Sequence, residues 1–282
     1  MTTPFRIAAL QMRSGTEPGP NLEALEALVA EAKAGGALYA LSPEMTVVFA
    51  ENREGLVGPA SPQAAAADAA RVAEMAKRHA IFLHLGSMAV ALPDGRFANR
   101  SMLFSPEGKL VASYDKIHLF DATLPGLKHY RESATYAGGG EAVVAPVAGF
   151  NLGMTICYDL RFPALFAALA GAGASVIAVP AAFTVPTGEA HWEILLRARA
   201  IETGSFVIAA AQGGTHANGR ATYGHSMIVD PWGTVLAQAS NDAPGVVVAE
   251  ISLDKVAETR ARVPALANSR PFSLSVNQAR AV

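Results

Sequence analysis

The chain has 282 residues, of which 51% are hydrophobic and 16% charged, with a formal net charge of −2. That length and apolar content support one large α/β unit with a big interior, and the low charge fraction leaves apolar surface for a second copy, so a homodimer or higher homo-oligomer is expected. A balance of 22 Lys plus Arg against 24 Asp plus Glu gives no broad field for nucleic acid or an anionic membrane, so the expected partner is a small molecule. The single cysteine excludes an intrachain disulfide and fits a reducing compartment. Met1 to Leu10 has neither a basic n-region nor a long apolar h-region, so no signal peptide is expected, and the cytoplasm follows by default.

In chain order, Phe5 to Met12 has strand length and composition, and Asn21 to Lys33 places Leu22, Leu25, Leu28 and Val29 on one helical face with Asn21 as N-cap. Gly35-Gly36 ends that helix and Ala37 to Ser42 is a second strand, which gives a β-α-β start. A helix over Pro62 to His79 follows. Ile81 to Val90, Asn99 to Phe104 and Leu110 to Tyr114, separated by Pro93-Asp94-Gly95 and Pro106-Glu107-Gly108, then form an antiparallel meander. An irregular segment runs to about Gly140, and its Gly138-Gly139-Gly140, lacking the Lys-Ser/Thr of a phosphate loop, is expected to be flexible backbone.

Strands at Ala142 to Val147 and Asn151 to Ile156 lead to Cys157 and a helix from Pro163. Phe162 to Gly188 has no charge, but Gly171, Gly173, Ser175, Pro180 and Pro186 interrupt it, so it reads as a buried helix, a turn, a strand and a loop instead of a membrane span. A helix from Glu189 to Thr203, a strand from Phe206 to Ala211, a hairpin around Pro231-Trp232-Gly233 and a strand from Gly245 to Ile251 complete the pattern. Asp254 is expected to cap a last helix to about Arg262. No composition break divides the chain, so residues 1–282 are taken as one domain, with 264–282 an extended C-terminal tail.

Three reactive side chains stand at or just past strand ends: Glu44, Lys116 and Cys157. Open α/β sheets build sites there. At a strand-to-helix turn the Cys157 thiol would face unpaired N–H groups, whose positive end lowers a thiol pKa and can hold an oxyanion. Amide hydrolysis needs a nucleophile, a group that moves protons both ways and a positive charge for the oxyanion, and these residue types supply all three. Taken singly, a buried apolar cysteine, a solvated loop glutamate and a surface lysine are the commoner situations. Ser226 is not the nucleophile of a G-x-S-x-G motif, because Ile228 stands where the second glycine belongs. Histidines 79, 84, 118, 129, 191, 216 and 225 have no metal-ligand spacing, so neither a metal nor a cofactor is expected. His225 and Ser226 are expected to shape a strand near the pocket, and Trp192 to serve core or subunit packing.

Pro43-Glu44, Tyr114-Asp115-Lys116-Ile117-His118-Leu119-Phe120-Asp121 and Cys157-Tyr158-Asp159-Leu160-Arg161-Phe162-Pro163 together resemble the nitrilase, or carbon-nitrogen hydrolase, superfamily. The likeness extends through Glu132-Ser133, Thr187 to Glu193, Arg197 to Glu202 and Tyr223 to Ser226. It implies a four-layer α-β-β-α sandwich with two mixed sheets and a Glu44-Lys116-Cys157 triad. In that triad Cys157 forms a thioester, Glu44 moves protons and Lys116 holds the oxyanion with the Tyr158 N–H. Glu132 would orient the lysine and substrate, and Arg161, Phe183 and Thr187 would bind substrate. Arg161 would pair with a carboxylate, or else be a structural ion-pair residue.

Tyr158 to Phe162 look like the branch containing omega-amidase and deaminated glutathione amidase, with the chain from His191 to Met227 closer to the latter. The implied reaction is cleavage of a linear C–N amide bond, with release of ammonia, in an α-keto acid ω-amide such as deaminated glutathione. The alternatives are a 2-oxoglutaramate or 2-oxosuccinamate omega-amidase, an N-carbamoyl amide hydrolase, and a catalytically idle scaffold. Ala164 stands where the family usually has glutamate, which weakens the substrate assignment more than the catalytic one.

Overall fold

A computed structural model describes residues 3–123 and 129–276 of the chain. Its strands form two large mixed sheets. In the seven-stranded sheet the order is Gly245–Ile251, Phe5–Gln11, Ala37–Leu41, Phe82–Ala91, Phe97–Phe104, Leu110–Asp115, with Tyr136–Ala137 beside Phe97–Phe104. The second sheet is six-stranded, in the order Val235–Gln238, Met227–Val229, Phe206–Ala211, Val176–Ala181, Phe150–Met154, Val143–Val147. Each has three parallel central strands and antiparallel edges: Phe5–Gln11, Ala37–Leu41 and Phe82–Ala91 in the first, Phe150–Met154, Val176–Ala181 and Phe206–Ala211 in the second.

The layering follows from period-2 alternation in strands that are apolar on both faces. Along Phe5–Gln11, Ile7 and Ala9 join a core with Tyr39, Leu41, Leu152, Met154, Val176 and Ile208, between the sheets. Ala8 and Leu10 turn the other way, onto Leu22, Leu25 and Val29 of helix Pro18–Ala34 and toward Val72 and Met75 of helix Pro62–Arg78. Helices Pro163–Gly171 and Val185–Thr203 cover the outer face of the second sheet through Phe166, Leu169, Trp192 and Leu196. The result is the four-layer α-β-β-α sandwich. His84, buried between the Tyr39 hydroxyl (2.7 Å) and the Ser101 hydroxyl (2.6 Å), is pushed by burial to a pKa of about 3 and stays neutral. No helix among the described residues is long and apolar enough to cross a membrane.

Several local expectations change. Helix Pro18–Ala34 starts with Pro18 at its first position, so Asn21 lies inside it; its side chain bonds the Gly15 backbone (2.7 and 2.9 Å) and the Val47 carbonyl (2.8 Å) and does not cap. The long helix starts at Val185, ahead of the expected Glu189, because Pro186 falls in the first turn, where a missing N–H costs nothing. Asp254 is the first residue of its helix, and Leu253 holds the cap position. Ala265–Asn268 makes one helical turn, 269–276 is exposed without regular structure, and the rest of the expected tail lies outside the described residues, as does 124–128 of the irregular segment.

The turn after Ala37–Leu41 is sewn to the neighbouring strand. Ser42 N donates to the His84 carbonyl (3.0 Å), Gly86 N to the Ser42 hydroxyl (2.9 Å), Ser87 N to the Pro43 carbonyl (3.2 Å) and Met45 N to the Ser87 hydroxyl (2.9 Å). Gly86 sits where the ladder with Phe97–Phe104 shifts register, and a Cβ there would overlap the carbonyl oxygens of Ser42 and Pro43. This seam fixes the backbone that carries Glu44. Gly86→Ala is therefore expected to cost about 1–3 kcal/mol by overpacking and to lower kcat beyond what the lost folded fraction explains, as checked by chemical denaturation alongside initial rates. Unchanged kcat per folded molecule would show that Glu44 does not depend on the seam.

Candidate active site

Glu44 follows the parallel strand Ala37–Leu41, Lys116 follows Leu110–Asp115 and Cys157 follows the parallel strand Phe150–Met154. The two sheets bring these strand ends to one cavity of about 700 Å³, within the range of roughly 300–1,000 Å³ usual for small-ligand sites. All eight residues singled out from the sequence line it: Glu44, Lys116, Glu132, Cys157, Tyr158, Arg161, Phe183 and Thr187.

At its floor Lys116, 2% exposed, donates to Glu44 Oε1 at 2.8 Å and to both Glu132 oxygens at 3.0 and 2.9 Å. Asn99 Nδ2 donates to Glu44 Oε1 at 2.9 Å and Ala182 N to Glu44 Oε2 at 3.1 Å. Phe120 N donates to Glu132 Oε2 at 2.5 Å. Cys157 stands beside the Glu44 carboxylate in the same cavity. Gly139 N bonds the Lys116 carbonyl at 2.8 Å, and a Cβ on Gly139 would overlap the Asp115 carbonyl oxygen. Gly139 is therefore a close-approach position that fixes the lysine's backbone, contrary to the expected flexible run.

The charge states follow from this geometry. Burial opposes ionisation of Glu44, but the Lys116 ammonium, with hydrogen bonds from Lys116 and Asn99, outweighs it and holds the carboxyl below its ordinary 4.5. Burial also opposes charge on Lys116, and the Glu132 and Glu44 carboxylates outweigh it, so the ammonium persists well above 10.5. Burial, reinforced by negative Glu44, pushes the Cys157 thiol well above 9.0. This reverses the expectation of a lowered thiol pKa. Cys157 begins a 3-10 turn, Cys157–Arg161, ahead of helix Pro163–Gly171, and the nearest charges include a carboxylate.

Cys157 has φ +49°, a left-handed backbone conformation that L-residues seldom adopt. The fully buried Asp159 holds this turn. Its carboxylate accepts from Ile156 N (2.8 Å), the Tyr114 hydroxyl (2.7 Å), His118 N (3.0 Å) and His118 Nδ1 (2.7 Å). One side chain thus ties the cysteine turn to both flanks of Lys116. Asn99, and Asp159 in this role, carry no local signal: Asn99 is one of three consecutive polar residues, Asn99-Arg100-Ser101, in its strand, and most partners of Asp159 lie far away in sequence.

Arg161 half-exposes its guanidinium to the cavity, 5.6 Å from the Phe183 ring centroid and 6.0 Å from that of Tyr158, with Nη2 3.2 Å from His191 Nδ1. Among the described residues no carboxylate lies within ion-pair distance of it. Phe183 packs on buried Trp192 at 4.8 Å, and the Thr187 hydroxyl bonds that of Thr184 at 2.8 Å. Ser226 is fully buried, bonded to Gln11 and Ala211 N, and neither it nor His225 lines the cavity.

A carbon-nitrogen hydrolase family model matches residues 6–261. The chain belongs to the carbon-nitrogen hydrolase family. It is similar to the deaminated glutathione amidase of Yersinia enterocolitica, 41% identical over 94% of this chain and 92% of that protein, and to that of Mus musculus, 40% identical over 94% and 83%. Among solved structures it is similar to the C. elegans NitFhit protein, with TM-score 0.88 and 36% identity over 95% of this chain and 66% of that one. It is also similar to an amidase from Nesterenkonia sp. AN1, with TM-score 0.76 and 27% identity over 92% and 98%, in which acrylamide has added to the active-site cysteine. The chain is thus an amide-cleaving hydrolase by family.

If Asp159 positions the nucleophile, Asp159→Asn must set an amide N–H against one of its donors. The expected outcome is about 2 kcal/mol lost from stability and a fall in kcat of roughly 10- to 100-fold in the fraction that stays folded. A normal kcat in the folded fraction would reduce Asp159 to a purely structural residue.

Proposed function

We propose that this protein is an amidase of the deaminated glutathione amidase type, working through a thioester on Cys157. The observation that carries the reading is the buried Lys116 ammonium held by both Glu44 and Glu132 in the cavity that Cys157 lines. As Cys157 Sγ attacks the amide carbon, Glu44 takes the thiol proton. The carbonyl oxygen becomes an oxyanion beside Lys116 and the N–H of Tyr158. Collapse expels the amine, which takes the proton back from Glu44, and leaves the acyl thioester. Glu44 then deprotonates a water that attacks the thioester, and the thiol leaves with that proton as the carboxylic acid departs. Glu132 keeps the lysine charged and aimed.

The α-keto acid end of the substrate fits Arg161, whose planar guanidinium suits a carboxylate and has no protein carboxylate to satisfy it among the described residues. Phe183 and Thr187 wall the same side. With deaminated glutathione the scissile nitrogen belongs to cysteine, so the departing amine is cysteinylglycine; ammonia departs only from primary ω-amides. The names of the relatives support the former.

Exposed Ile194, Ile201, Trp232 and Leu236, on helix Val185–Thr203 and the hairpin beside it, support a homodimer through that face. An unpaired working thiol suits the cytoplasm.

Wild-type protein is expected to release 2-oxoglutarate from deaminated glutathione with kcat/KM above that for N-carbamoyl amines, and rapid quench with mass spectrometry is expected to trap the 2-oxoglutaryl adduct on Cys157. Cys157→Ala should lose activity by a factor on the order of 10⁴ or more and form no adduct. Release of a carbamoyl group instead, or no acylation of Cys157 by any amide, would overturn the assignment.

A further inference from the structure

A second unpaired cation faces the cavity. Arg220 lies on the turn between strands Gly213–Thr215 and Ala221–Tyr223, far in sequence from every residue of the catalytic floor. Its backbone is pinned: His216 N donates to the Arg220 carbonyl at 2.8 Å, Arg220 N donates to Asn218 Oδ1 at 3.0 Å, and Asn218 Nδ2 donates to the Phe49 carbonyl at 2.7 Å. The half-buried guanidinium stacks 4.5 Å over the Phe49 ring and stands 6.0 Å from that of Tyr130. No carboxylate pairs with it among the described residues.

A run of aromatic rings joins it to Arg161. Tyr130 contacts Phe120 (5.2 Å), Phe120 contacts Tyr158 (5.1 Å), and Tyr158 lies 6.0 Å from the Arg161 guanidinium. Two guanidiniums therefore end an aromatic arc that passes Tyr158, the residue next to Cys157. The other cavity arginines are engaged elsewhere: Arg53 donates to the Gly95 carbonyl at 2.5 Å, and Arg131 faces Asp121 across a strand pair. The catalytic floor itself carries two carboxylates to one ammonium, a negative field that repels an anionic substrate. Cations at both ends of the wall offset that repulsion.

The acyl and leaving halves of an amide diverge from the scissile carbon. With the keto acid at Arg161, the leaving half runs toward the other end of the arc. We propose that Arg220 is a subsite for a carboxylate on the leaving amine, so the enzyme favours amides whose leaving group is an amino acid or short peptide with a free C-terminus. This rests on the keto-acid amidase reading above and adds the residue that selects the leaving group. A guanidinium–carboxylate pair in a partly buried site is charge-assisted and bidentate, strong enough to set a preference, and uniform binding of this kind acts mainly on KM.

The test is the ratio of kcat/KM for deaminated glutathione to that for its C-terminal carboxamide, in wild type, Arg220→Gln and Arg220→Lys, with 2-oxoglutaramate as a substrate lacking the leaving peptide. Wild type is expected to prefer the free carboxylate by roughly 10- to 100-fold, largely through KM. Arg220→Gln should bring the ratio close to unity, and Arg220→Lys should restore part of it. Because the readout is a ratio, a general loss of active protein cancels. A wild-type ratio near unity, or one that survives Arg220→Gln, overturns the subsite while leaving the amidase reading intact. Wild-type turnover of none of the three substrates removes the keto-acid reading and the subsite with it.

Discussion

A lysine ammonium taken out of water is costly unless opposite charge and hydrogen bonds replace its solvent, and Lys116 finds both in Glu44 and Glu132. The three groups define one another's charge. The ammonium holds Glu44 ionised, the carboxylates hold the ammonium protonated, and burial, reinforced by the Glu44 charge, keeps the adjacent thiol neutral. Removing one member would leave an uncompensated buried charge, so floor and chemistry stand or fall together. A neutral thiol beside an ionised base also differs from a preformed thiolate: the proton moves only as the nucleophile commits, and it stays on Glu44 for the departing amine.

The scaffold holds this cluster through backbone contacts that allow little freedom. Gly86 lets the turn carrying Glu44 lie against its neighbouring strand, and Gly139 lets the segment before the second sheet close on the Lys116 backbone. Cys157 is held in a left-handed conformation by a turn whose centre is Asp159. Asp159 also binds the Tyr114 hydroxyl and the His118 backbone, so the strand end bearing the lysine and the one bearing the nucleophile share a buried anchor. Preorganisation of this kind lets an ammonium in a dry site stabilise an oxyanion without reorganising first.

Much of this was legible in the sequence, for identifiable reasons. Period-2 and period-3.6 patterns located the main strands and helices, and the strand-end rule together with the resemblance pointed to Glu44, Lys116 and Cys157. Glu132, Arg161, Phe183 and Thr187 rested on resemblance alone, since nothing local marks a loop glutamate or a helix threonine as cavity-facing. The turn's N–H groups alone would lower the thiol's pKa; its burial and the carboxylate of Glu44, brought from a distant strand end, raise it instead, and neither is visible locally. Asn21 lies inside its helix because Pro18 opens it three residues earlier, and Gly139 serves a contact with the distant Lys116 backbone that no local pattern marks. Asn99 and Arg220 carry no signal until the sheets and the turn after Gly213–Thr215 are folded.

The resting site holds Glu44 as carboxylate, Cys157 as thiol and Lys116 as ammonium. Glu44 titrates below 4.5 and Cys157 above 9.0, so this form persists between those values. The direct measurement is a pH titration of Cys157 by ultraviolet thiolate absorbance, run beside kcat/KM over the same range. No thiolate signal is expected through neutral pH, its appearance is expected only above 9.0, and kcat/KM should hold a flat plateau across the interval. A thiolate that forms near neutrality, with kcat/KM rising in step, would contradict it.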